Sequence, residues 1–484
     1  MIVDLATAAG APVEVDVSVA GAGVAGTTIA LKLVSAGYRV AIVEAGGNDF
    51  SPASQDFYVG ENTGVPNLPL HETRLRMLGG SSNHWGGWCR PLDPYDLGRT
   101  DLTAGGGWPI AEADLAPYHN QAAAILGVGT RVGADVPLAD ADGNLQAIRM
   151  MFSEPPLRFR VQYGDAYRRA PNLTVFLNAS VADIGLSAAG RVESFAVRSA
   201  ASQTGFECRA RAFVLAMGTA ENNRMLLNWN ERHDNRVANP DLLGRYYMQH
   251  LHQVLGEFVT IDNAAPLPPM AAGERPRAFF ASTEKFLRET GLGAFRLNSA
   301  AMDCSVLIDE LTRVASEAFC RSITGGGQLL ITCEQLPNAE SRITLLAETD
   351  ALGQKRVRLD WQINDGDRRT LKEAGLEFGR YLVRGNLGRL KVNADVLAGA
   401  APLKGWEVLG SAPGAAGHQL GGARMGKTPE NGVTDSSCRL WPLENLYVAG
   451  AAVFRTGGHA NPTLTITQLG LRLADEVERR LRAG

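Results

Sequence analysis

The sequence DVSVAGAGVAGTTIALKLVSAGYRVAIVE, residues 16–44, decides the fold class of this chain. Its two ends are short apolar runs that predict buried strands, and the small residues at 27–35 predict a helix between them. Gly21, Gly23 and Gly26 form a G-x-G-x-x-G pattern where the first strand passes into that helix. This order predicts a β-α-β unit of a doubly wound sheet, with a glycine turn at the start of its helix.

The spacing of the three glycines is typical of a dinucleotide-binding turn. The first glycine permits the tight turn, the second lets the backbone approach a pyrophosphate, and the third lets the helix pack closely on the strand. Glu44 ends the second strand, where its carboxylate can accept a hydrogen bond from a ribose hydroxyl. A glycine-rich turn in an ordinary β-α-β unit is the alternative, but the flanking strands and the acid favour a dinucleotide site. The motif alone does not distinguish FAD from NAD.

A second glycine-rich segment, RMLGGSSNHWGGW, spans residues 76–88. Such a composition occurs in flexible linkers and in loops that wrap closely around a ligand. The two tryptophans, and the apolar residues before the glycines, favour the ligand loop over the linker.

Three later apolar runs predict that the N-terminal sheet is resumed further along the chain. They are residues 172–178, 211–216 and 446–449. Gly218 and a predicted helix follow the second run, which repeats the strand–turn–helix order of the first unit.

Between the second and the third of these runs, the pattern of polar and apolar residues changes. Alternating polar and apolar residues predict strands of an antiparallel sheet at 256–261, 328–332, 342–346 and 357–361. Residues 366–387 predict a largely helical stretch, and residues 266–277 predict a surface loop.

The predicted fold class is therefore α/β, with two domains. A Rossmann-like dinucleotide-binding domain, doubly wound and discontinuous, comprises residues 1–100, 170–250 and 430–484. A substrate-binding α+β domain with a mostly antiparallel sheet comprises residues 101–169 and 251–429. A chain of 484 residues exceeds the usual size of a single hydrophobic core, which agrees with this division.

Composition excludes several classes of function. The net charge of −4 and the lack of a Lys/Arg block give no indication of a nucleic-acid partner or an anionic membrane surface. The six cysteines lack C-x-x-C or paired spacing, which argues against a metal site or a disulfide framework. The first residues carry acids and no basic segment, and no apolar run is long enough for a membrane span. We therefore expect a cytoplasmic protein.

The last part of the chain contains two polar residues in glycine-rich surroundings. HQLGGARMG starts at His418, and GGHANPTLTITQLG starts at Gly457. Pro462 with Asn461 before it marks a helix start, so Asn461 is expected at the positive end of the final helix. Taken alone, a loop histidine is usually solvated or hydrogen-bonded, and an asparagine before a helix is usually a cap.

Together these motifs resemble the glucose–methanol–choline (GMC) flavin oxidoreductases along the whole chain. The matching pieces are GAGVAG with Glu44, RMLGGSSNHWGG, VLAMGTAENNRML, EQLPNAESRITL, HQLGGARMG, and VTDSSCRLWPLENLYVAGAAVF before HANPTLT. The resemblance implies bound FAD and the oxidation of an alcohol by hydride transfer to flavin N5. Within the family the chain looks most like pyranose 2-oxidases, bacterial glycoside 3-oxidases and sugar dehydrogenases, which share the His-then-Asn pair.

The resemblance also implies roles for individual residues. His418 would be the general base that takes the hydroxyl proton, and Asn461 would orient the substrate oxygen. The expected cofactor-binding residues are Gly21, Gly23, Gly26, Glu44, Gly79, Gly80, Ser81, Asn83, His84, Val181, Gly218, Gly450, Ala451, Asn461 and Thr463.

Position 84 and its neighbours leave two questions open. His84 stands where pyranose oxidases attach the flavin covalently, so FAD is either bonded to His84 or packed against it. Gly86 stands where pyranose oxidases have threonine, which puts efficient use of oxygen in doubt. The electron acceptor is therefore O2, an artificial acceptor or a protein partner.

The expected reaction is oxidation of a secondary hydroxyl, at C3 or C2, of a sugar or glycoside to the keto-sugar. One alternative is a dehydrogenase of a non-sugar alcohol such as a steroid or polyol. The other is a flavoprotein that no longer oxidises alcohols, such as a lyase or a binding module, and the presence of both His418 and Asn461 argues against it.

His250 and His252 are interpreted as structural, and the role of His459 is left open. The substrate itself depends on residues 260–325 and on the oligomeric state, since a homo-oligomer can close the pocket.

Overall fold

The computed structural model describes residues 1–102, 106–130, 135–138, 141–234, 236–261, 278–301, 323–400 and 417–483. The surface loop predicted at residues 266–277 lies outside this part of the chain.

The strands are numbered in chain order. They are β1 (Ile2–Asp4), β2 (Val13–Glu14), β3 (Val17–Ala20), β4 (Val40–Val43), β5 (Glu61–Gly64), β6 (Trp88–Cys89), β7 (Val136–Pro137), β8 (Leu145–Arg149), β9 (Met151–Phe152), β10 (Leu173–Leu177), β11 (Ser180–Leu186), β12 (Val192–Arg198), β13 (Gly205–Arg209), β14 (Ala212–Leu215), β15 (Leu251–Ile261), β16 (Ala278–Ser282), β17 (Phe295–Ala301), β18 (Ile323–Cys333), β19 (Arg342–Thr349), β20 (Lys355–Trp361), β21 (Gly388–Val392) and β22 (Leu446–Val448).

The α-helices of the described residues vary widely in length. They span Val24–Ser35, Pro52–Gln55, Pro94–Gly98, Glu112–Leu115, His119–Leu126, Phe159–Gln162, Gly164–Arg169, Thr219–Arg232, Glu284–Thr290, Asp365–Arg384, Ala394–Leu397 and Thr463–Ala483.

A six-stranded parallel sheet, in the order β1-β10-β4-β3-β14-β22, forms the centre of the first layer. Strands β3, β4, β14 and β22 are buried along their whole length. Continuous apolar strands of this kind belong in parallel sheets that are covered on both faces. The predicted β-α-β unit and the return of the chain at residues 211–216 and 446–449 are therefore confirmed.

A seven-stranded antiparallel sheet, in the order β21-β15-β18-β17-β16-β8-β7, forms the second layer. It contains the runs predicted at 256–261 and 328–332. The helix Asp365–Arg384 contacts its strands β21, β15 and β18. The predicted α/β class with a mostly antiparallel second sheet is confirmed.

The runs predicted at 342–346 and 357–361 are strands, but they do not join this large sheet. They form β19 and β20 of a separate three-stranded sheet, in which β5 pairs with β20 in parallel. Alternation fixes which face of a strand is buried, but it does not identify the strand's partner.

Two short helices follow one another between Glu112 and Leu126. A 3-10 turn at Ala116–Tyr118 separates the helix Glu112–Leu115 from the helix His119–Leu126. Pro117 lies in this turn and has no N–H to donate, which explains the break.

Neither a membrane-spanning helix nor a metal-binding cluster is found among the described residues. None of the helices there is long and apolar enough to cross a membrane. The same residues contain no group of three or more His, Cys, Asp or Glu side chains that is suited to holding a metal ion.

Candidate active site

A cavity of about 660 Å³ lies at the carboxyl edge of the parallel sheet. Because β3, β4, β14 and β22 run in the same direction, the turns that follow them meet at this edge. The residues directly after these strands, Gly21, Glu44, Ala216 and Ala449, all line the cavity. The antiparallel sheet reaches the same cavity through residues of β15, β17 and β18.

The glycine turn after β3 has the local geometry that its spacing predicts. Gly21 has a φ of +99°, and a Cβ atom there would lie 2.6 Å from the carbonyl oxygen of Ala216. A Cβ on Gly26 would lie 1.9 Å from the carbonyl oxygen of Gly21, so helix and turn are in direct contact. A Cβ on Gly23 would meet nothing within 4 Å. The space beside Gly23 is therefore open to a ligand, at the N-terminus of the helix Val24–Ser35.

Glu44 stabilises the same turn from the end of β4. Its two carboxylate oxygens accept hydrogen bonds from the backbone N–H groups of Ala22 and Gly46, each at 2.8 Å. Burial raises the pKa of Glu44, while these two hydrogen bonds and the charge of Arg76 oppose that rise. Each oxygen keeps a second lone pair, so the side chain can still accept a hydrogen bond from a ribose hydroxyl.

The second glycine-rich loop lies directly over the first turn. A Cβ on Gly80 would be 3.3 Å from the Cα atom of Gly23. Asn83 Nδ2 donates to the carbonyl oxygens of Leu78 and Gly80, both at 2.9 Å. His84 follows and lines the cavity. Within the described residues its ring has no hydrogen-bond partner, and burial, with a smaller effect of Arg158, lowers its pKa.

Near Glu44 the cavity is lined by charged and aromatic side chains that the sequence analysis did not identify. Arg74 stacks on Tyr58, with its guanidinium carbon 4.1 Å from the ring centroid, and it pairs with Glu221 at 2.6 Å. Arg76 stacks on Phe57 at 4.2 Å. All of these side chains line the cavity on the Glu44 side. An aromatic pair shortly before an Arg-rich, glycine-rich loop was the only signal for them in the sequence.

His418 and Asn461 meet at the opposite end of the cavity. Asn461 Nδ2 lies 3.2 Å from His418 Nε2, and both residues line the cavity. Asn461 lies two residues before the helix Thr463–Ala483, whose first turn also faces the cavity. The structure thus brings the two predicted catalytic residues together at a positive helix end.

His250 and His252 lie beside His418, although the sequence suggested only a structural role for them. His250 Nδ1 is 2.7 Å from His418 Nδ1, and His250 Nε2 is 2.8 Å from the carbonyl oxygen of Gly458. The rings of His252 and His418 are 6.0 Å apart, and Thr332 Oγ1 lies 3.1 Å from His252 Nδ1. Burial lowers the pKa of both His250 and His252 to about 3, so both rings are neutral at physiological pH.

Arg296 completes the group from strand β17. Its Nη1 donates to Asn461 Oδ1 at 2.6 Å and to the carbonyl oxygen of His459 at 3.0 Å. The side chain is buried, and burial lowers its pKa to about 9, with a further contribution from Arg90. The described residues place no carboxylate within ion-pair distance of it. Phe295 and Leu297 beside it are also buried, so this strand has no alternation that would have singled out Arg296.

This environment keeps His418 neutral. Its pKa lies well below its ordinary value, first because the ring is enclosed by protein and then because His250, His252 and Arg296 surround it. The side chain is nevertheless accessible from the cavity. A neutral imidazole that faces a cavity can take a proton from a bound hydroxyl group.

The loop that carries Asn461 is held from the antiparallel layer. Glu334, directly after β18, accepts hydrogen bonds at 3.0 Å from the N–H groups of both Gly457 and Gly458. His459 points away from the cavity, and its Nε2 is 3.3 Å from Asp93 Oδ2. Its carbonyl group, and not its ring, therefore contributes to the site.

Most of the residues predicted from the sequence line the cavity. They are Gly21, Gly23, Glu44, Gly80, Ser81, His84, Val181, Gly218, His418, Gly450, Ala451, Asn461 and Thr463. Gly26, Gly79 and Asn83 lie behind this surface, where they shape the two loops.

Comparisons with known proteins agree with this architecture. Residues 337–470 match the sequence profile of the family described as GMC oxidoreductase. The chain is 24% identical to 2-methyl-1,2-propanediol dehydrogenase of Mycolicibacterium austroafricanum, over 96% of both proteins. It is 25% identical to paromamine 6'-oxidase of Streptomyces fradiae, over 96% of this chain and 91% of that protein. It is also 25% identical to C-glycoside 3-oxidase of Microbacterium trichothecenolyticum, over 83% and 75% respectively.

Solved structures share the fold. Pyridoxine 4-oxidase from Mesorbium loti superposes with a TM-score of 0.57 at 18% identity, over 96% of this chain and 99% of that one. At this identity the likeness establishes the arrangement of the two layers and nothing finer.

Proposed function

We propose that this chain, whose residues 337–470 match the GMC oxidoreductase family, uses FAD to oxidise a secondary hydroxyl, at C3 or C2, of a sugar or glycoside. The observation that carries the proposal is the convergence of His418 Nε2 and Asn461 Nδ2, 3.2 Å apart, on one side of the cavity. One atom is a proton acceptor and the other a donor, so both can contact the same hydroxyl oxygen.

The residues of the cavity fit FAD. The open space at Gly23 and the helix N-terminus behind it suit a pyrophosphate, and Glu44 suits a ribose. The first turn of the helix Thr463–Ala483 faces the other end, where its dipole favours an anionic ring system. FAD, when bound, supplies the acceptor for the hydride that leaves the alcohol carbon.

Residues of this chain accept the hydroxyl proton and bind the substrate oxygen. His418 takes it from the hydroxyl group at Nε2, which is possible because the ring is neutral. Asn461 Nδ2 donates a hydrogen bond to the same oxygen and holds it as negative charge develops. The imidazolium formed on His418 keeps its contact with His250 Nδ1.

Two features favour a sugar over an apolar alcohol. The cavity beside His418 is lined by the polar side chains of His252, Asn298 and Thr332, which can bind several hydroxyl groups. Trp88 also lines it and offers an aromatic face. One of the relatives named above is by name an oxidase of C-glycosides at position 3, whereas the diol dehydrogenase supports the non-sugar alternative.

The test is a substrate panel with the purified flavoprotein. Free sugars, O-glycosides, C-glycosides, a vicinal diol and a sterol are each incubated under air and with an artificial dye, and the products are identified by NMR. We expect dye reduction and a 3-keto or 2-keto product with at least one sugar or glycoside, and a far slower reaction with the His418→Ala variant. If the diol or the sterol is oxidised and no sugar or glycoside reacts, the proposal is wrong and the protein is a dehydrogenase of a non-sugar alcohol.

A further inference from the structure

A chain of hydrogen bonds runs through the candidate base from a guanidinium group to a backbone carbonyl. Its members are Arg296, Asn461, His418, His250 and the carbonyl group of Gly458. We propose that Arg296 and His250 are positioning residues that fix His418 as the tautomer with its proton on Nδ1. This leaves the lone pair on Nε2, the ring nitrogen next to Asn461 Nδ2, where a substrate hydroxyl can take the place of that donor. The inference rests on the proposed role of His418 as the base.

The first end of the chain fixes the orientation of the Asn461 amide. A guanidinium group has only donors, so the amide atom 2.6 Å from Arg296 Nη1 must be the carbonyl oxygen Oδ1. The amide nitrogen Nδ2 then faces His418. Because Nδ2 is a donor, the atom 3.2 Å away, His418 Nε2, must accept and is therefore unprotonated.

The other end of the chain leads to the same result independently. A carbonyl group only accepts, so His250 Nε2, 2.8 Å from Gly458 O, must carry the proton of that ring. With a neutral ring, His250 Nδ1 is then an acceptor. The contact of 2.7 Å between the two Nδ1 atoms requires His418 Nδ1 to donate. A neutral His418 with its proton on Nδ1 has its lone pair on Nε2.

The two ends lie on different parts of the fold. Arg296 belongs to β17, whereas Gly458 belongs to the loop before the C-terminal helix. If either end were changed to the opposite hydrogen-bonding type, His418 would be driven toward the tautomer with a proton on Nε2. That tautomer cannot accept a proton from the substrate. No carboxylate is hydrogen-bonded to His418 or His250 in the described residues, so tautomer control here relies on neutral groups and one guanidinium.

The substitutions that separate this role from packing follow from the donor pattern. His250→Gln keeps an acceptor for His418 Nδ1 and a donor for Gly458 O, so it should preserve the tautomer. His250→Leu removes the acceptor and leaves the Nδ1 proton unpaired. Arg296→Met removes the donor that orients Asn461, whereas Arg296→Lys retains a cationic donor.

The primary readout is the tautomer itself. The holoenzyme is labelled with ¹⁵N-histidine, and its imidazole nitrogens are observed by NMR at neutral pH without substrate. The His418 signals are identified by their loss in the His418→Gln variant. We expect a protonated Nδ1 and an unprotonated Nε2 in the wild type and in His250→Gln, and a mixture of tautomers in His250→Leu and Arg296→Met.

The second readout is the rate of flavin reduction by the best alcohol of the substrate panel. We expect about a tenfold loss in His250→Leu and in Arg296→Met, with a smaller loss in His250→Gln and Arg296→Lys, since the lost hydrogen bond is what favours the reactive tautomer. Retention of bound flavin in each variant is the control. If the His250→Leu variant does not fold, the comparison of Arg296→Met with Arg296→Lys still tests the proposal.

Either of two results overturns the inference. One is a wild-type His418 with its proton on Nε2. The other is an unchanged tautomer and an unchanged rate in both His250→Leu and Arg296→Met. Failure of the proposed function has a different signature, because His418→Ala would then reduce its flavin at the wild-type rate while the NMR result stayed as expected.

Discussion

Asn461 Nδ2 lies 3.2 Å from His418 Nε2, although the two residues are 43 positions apart in the sequence. His418 lies in a loop whose Leu420 pairs with Met248, just before β15, and Asn461 lies just before the last helix. The parallel sheet brings that helix start to its carboxyl edge, where the cofactor-binding turns also lie. A donor and an acceptor therefore converge where the reactive end of the cavity is expected.

Replacing His418 with alanine removes the proton acceptor but leaves the cofactor-binding turns intact. General-base catalysis typically contributes about 10²–10⁴-fold, so flavin reduction by substrate should slow by that order. Anaerobic stopped-flow spectroscopy measures this step directly. Higher pH should partly restore the rate, because hydroxide can replace the lost base. A variant as fast as the wild type would mean that the base is elsewhere.

Asn461→Ala should have a smaller effect than His418→Ala. It removes one hydrogen bond to the substrate oxygen, which corresponds to a loss of roughly 1–3 kcal/mol of transition-state stabilisation. The double variant should be slowed by less than the product of the two single effects, since both side chains act on the same oxygen. Strict multiplicativity in the same stopped-flow assay would argue that the two residues act independently.

Gly23→Val tests the cofactor site with little disturbance of the protein. A Cβ at this position meets no protein atom within 4 Å, so the fold should be retained. The new side chain should instead occupy the space of the pyrophosphate and give colourless protein. The matched control is Gly129→Val, because Gly129 is exposed and also has open space around it. Flavin content is read from the visible spectrum, and full occupancy in Gly23→Val would contradict the assignment of this turn.

His84 tests the mode of flavin attachment. If its ring is bonded to the flavin, acid precipitation of the protein should carry the yellow colour into the pellet, and His84→Ala should release it into the supernatant. His119→Ala, whose ring does not line the cavity, is the control. Colour in the supernatant of the wild type would leave His84 as a residue that packs against a non-covalent flavin.

The pH dependence should show a base that stays neutral in mildly acidic solution. Burial first, and then His250, His252 and Arg296, lower the pKa of His418 well below its ordinary value of 6.5. Since the unprotonated form is the active one, kcat/KM should hold as pH falls through 6.5 and decline only below it. Arg296→Met removes a positive charge, so it should move this decline to higher pH. A wild-type decline centred above pH 6.5 would contradict the environment described for His418.

The glycine motifs predicted the cofactor side of the molecule well, because their chemistry is local. Gly21 and Gly26 have the turn geometry and close packing that their spacing implies, and these requirements do not depend on distant parts of the chain. The parallel strands followed in the same way from short, continuous apolar runs, since strands buried on both faces need no alternation.

The surroundings of the base could not be derived from the sequence. Arg296, His250 and His252 are far from His418 along the chain and belong to no recognisable motif. They become neighbours only because strands β15 and β17 flank β18 in the antiparallel sheet. The residues of a strand do not reveal which other strands pair with it. For the same reason, β19 and β20 were expected in the wrong sheet.

The loop from Gly457 to Asn461 is held by the antiparallel layer at both of its ends. Glu334 binds its first two N–H groups, and Arg296 binds the His459 carbonyl and the Asn461 side chain. The reactive geometry is thus a property of the docked layers, and neither layer has it alone. We expect a slight separation of the layers on heating to break these contacts while each sheet is still intact. Loss of turnover should therefore precede loss of secondary structure, and a half-assembled molecule would be inert.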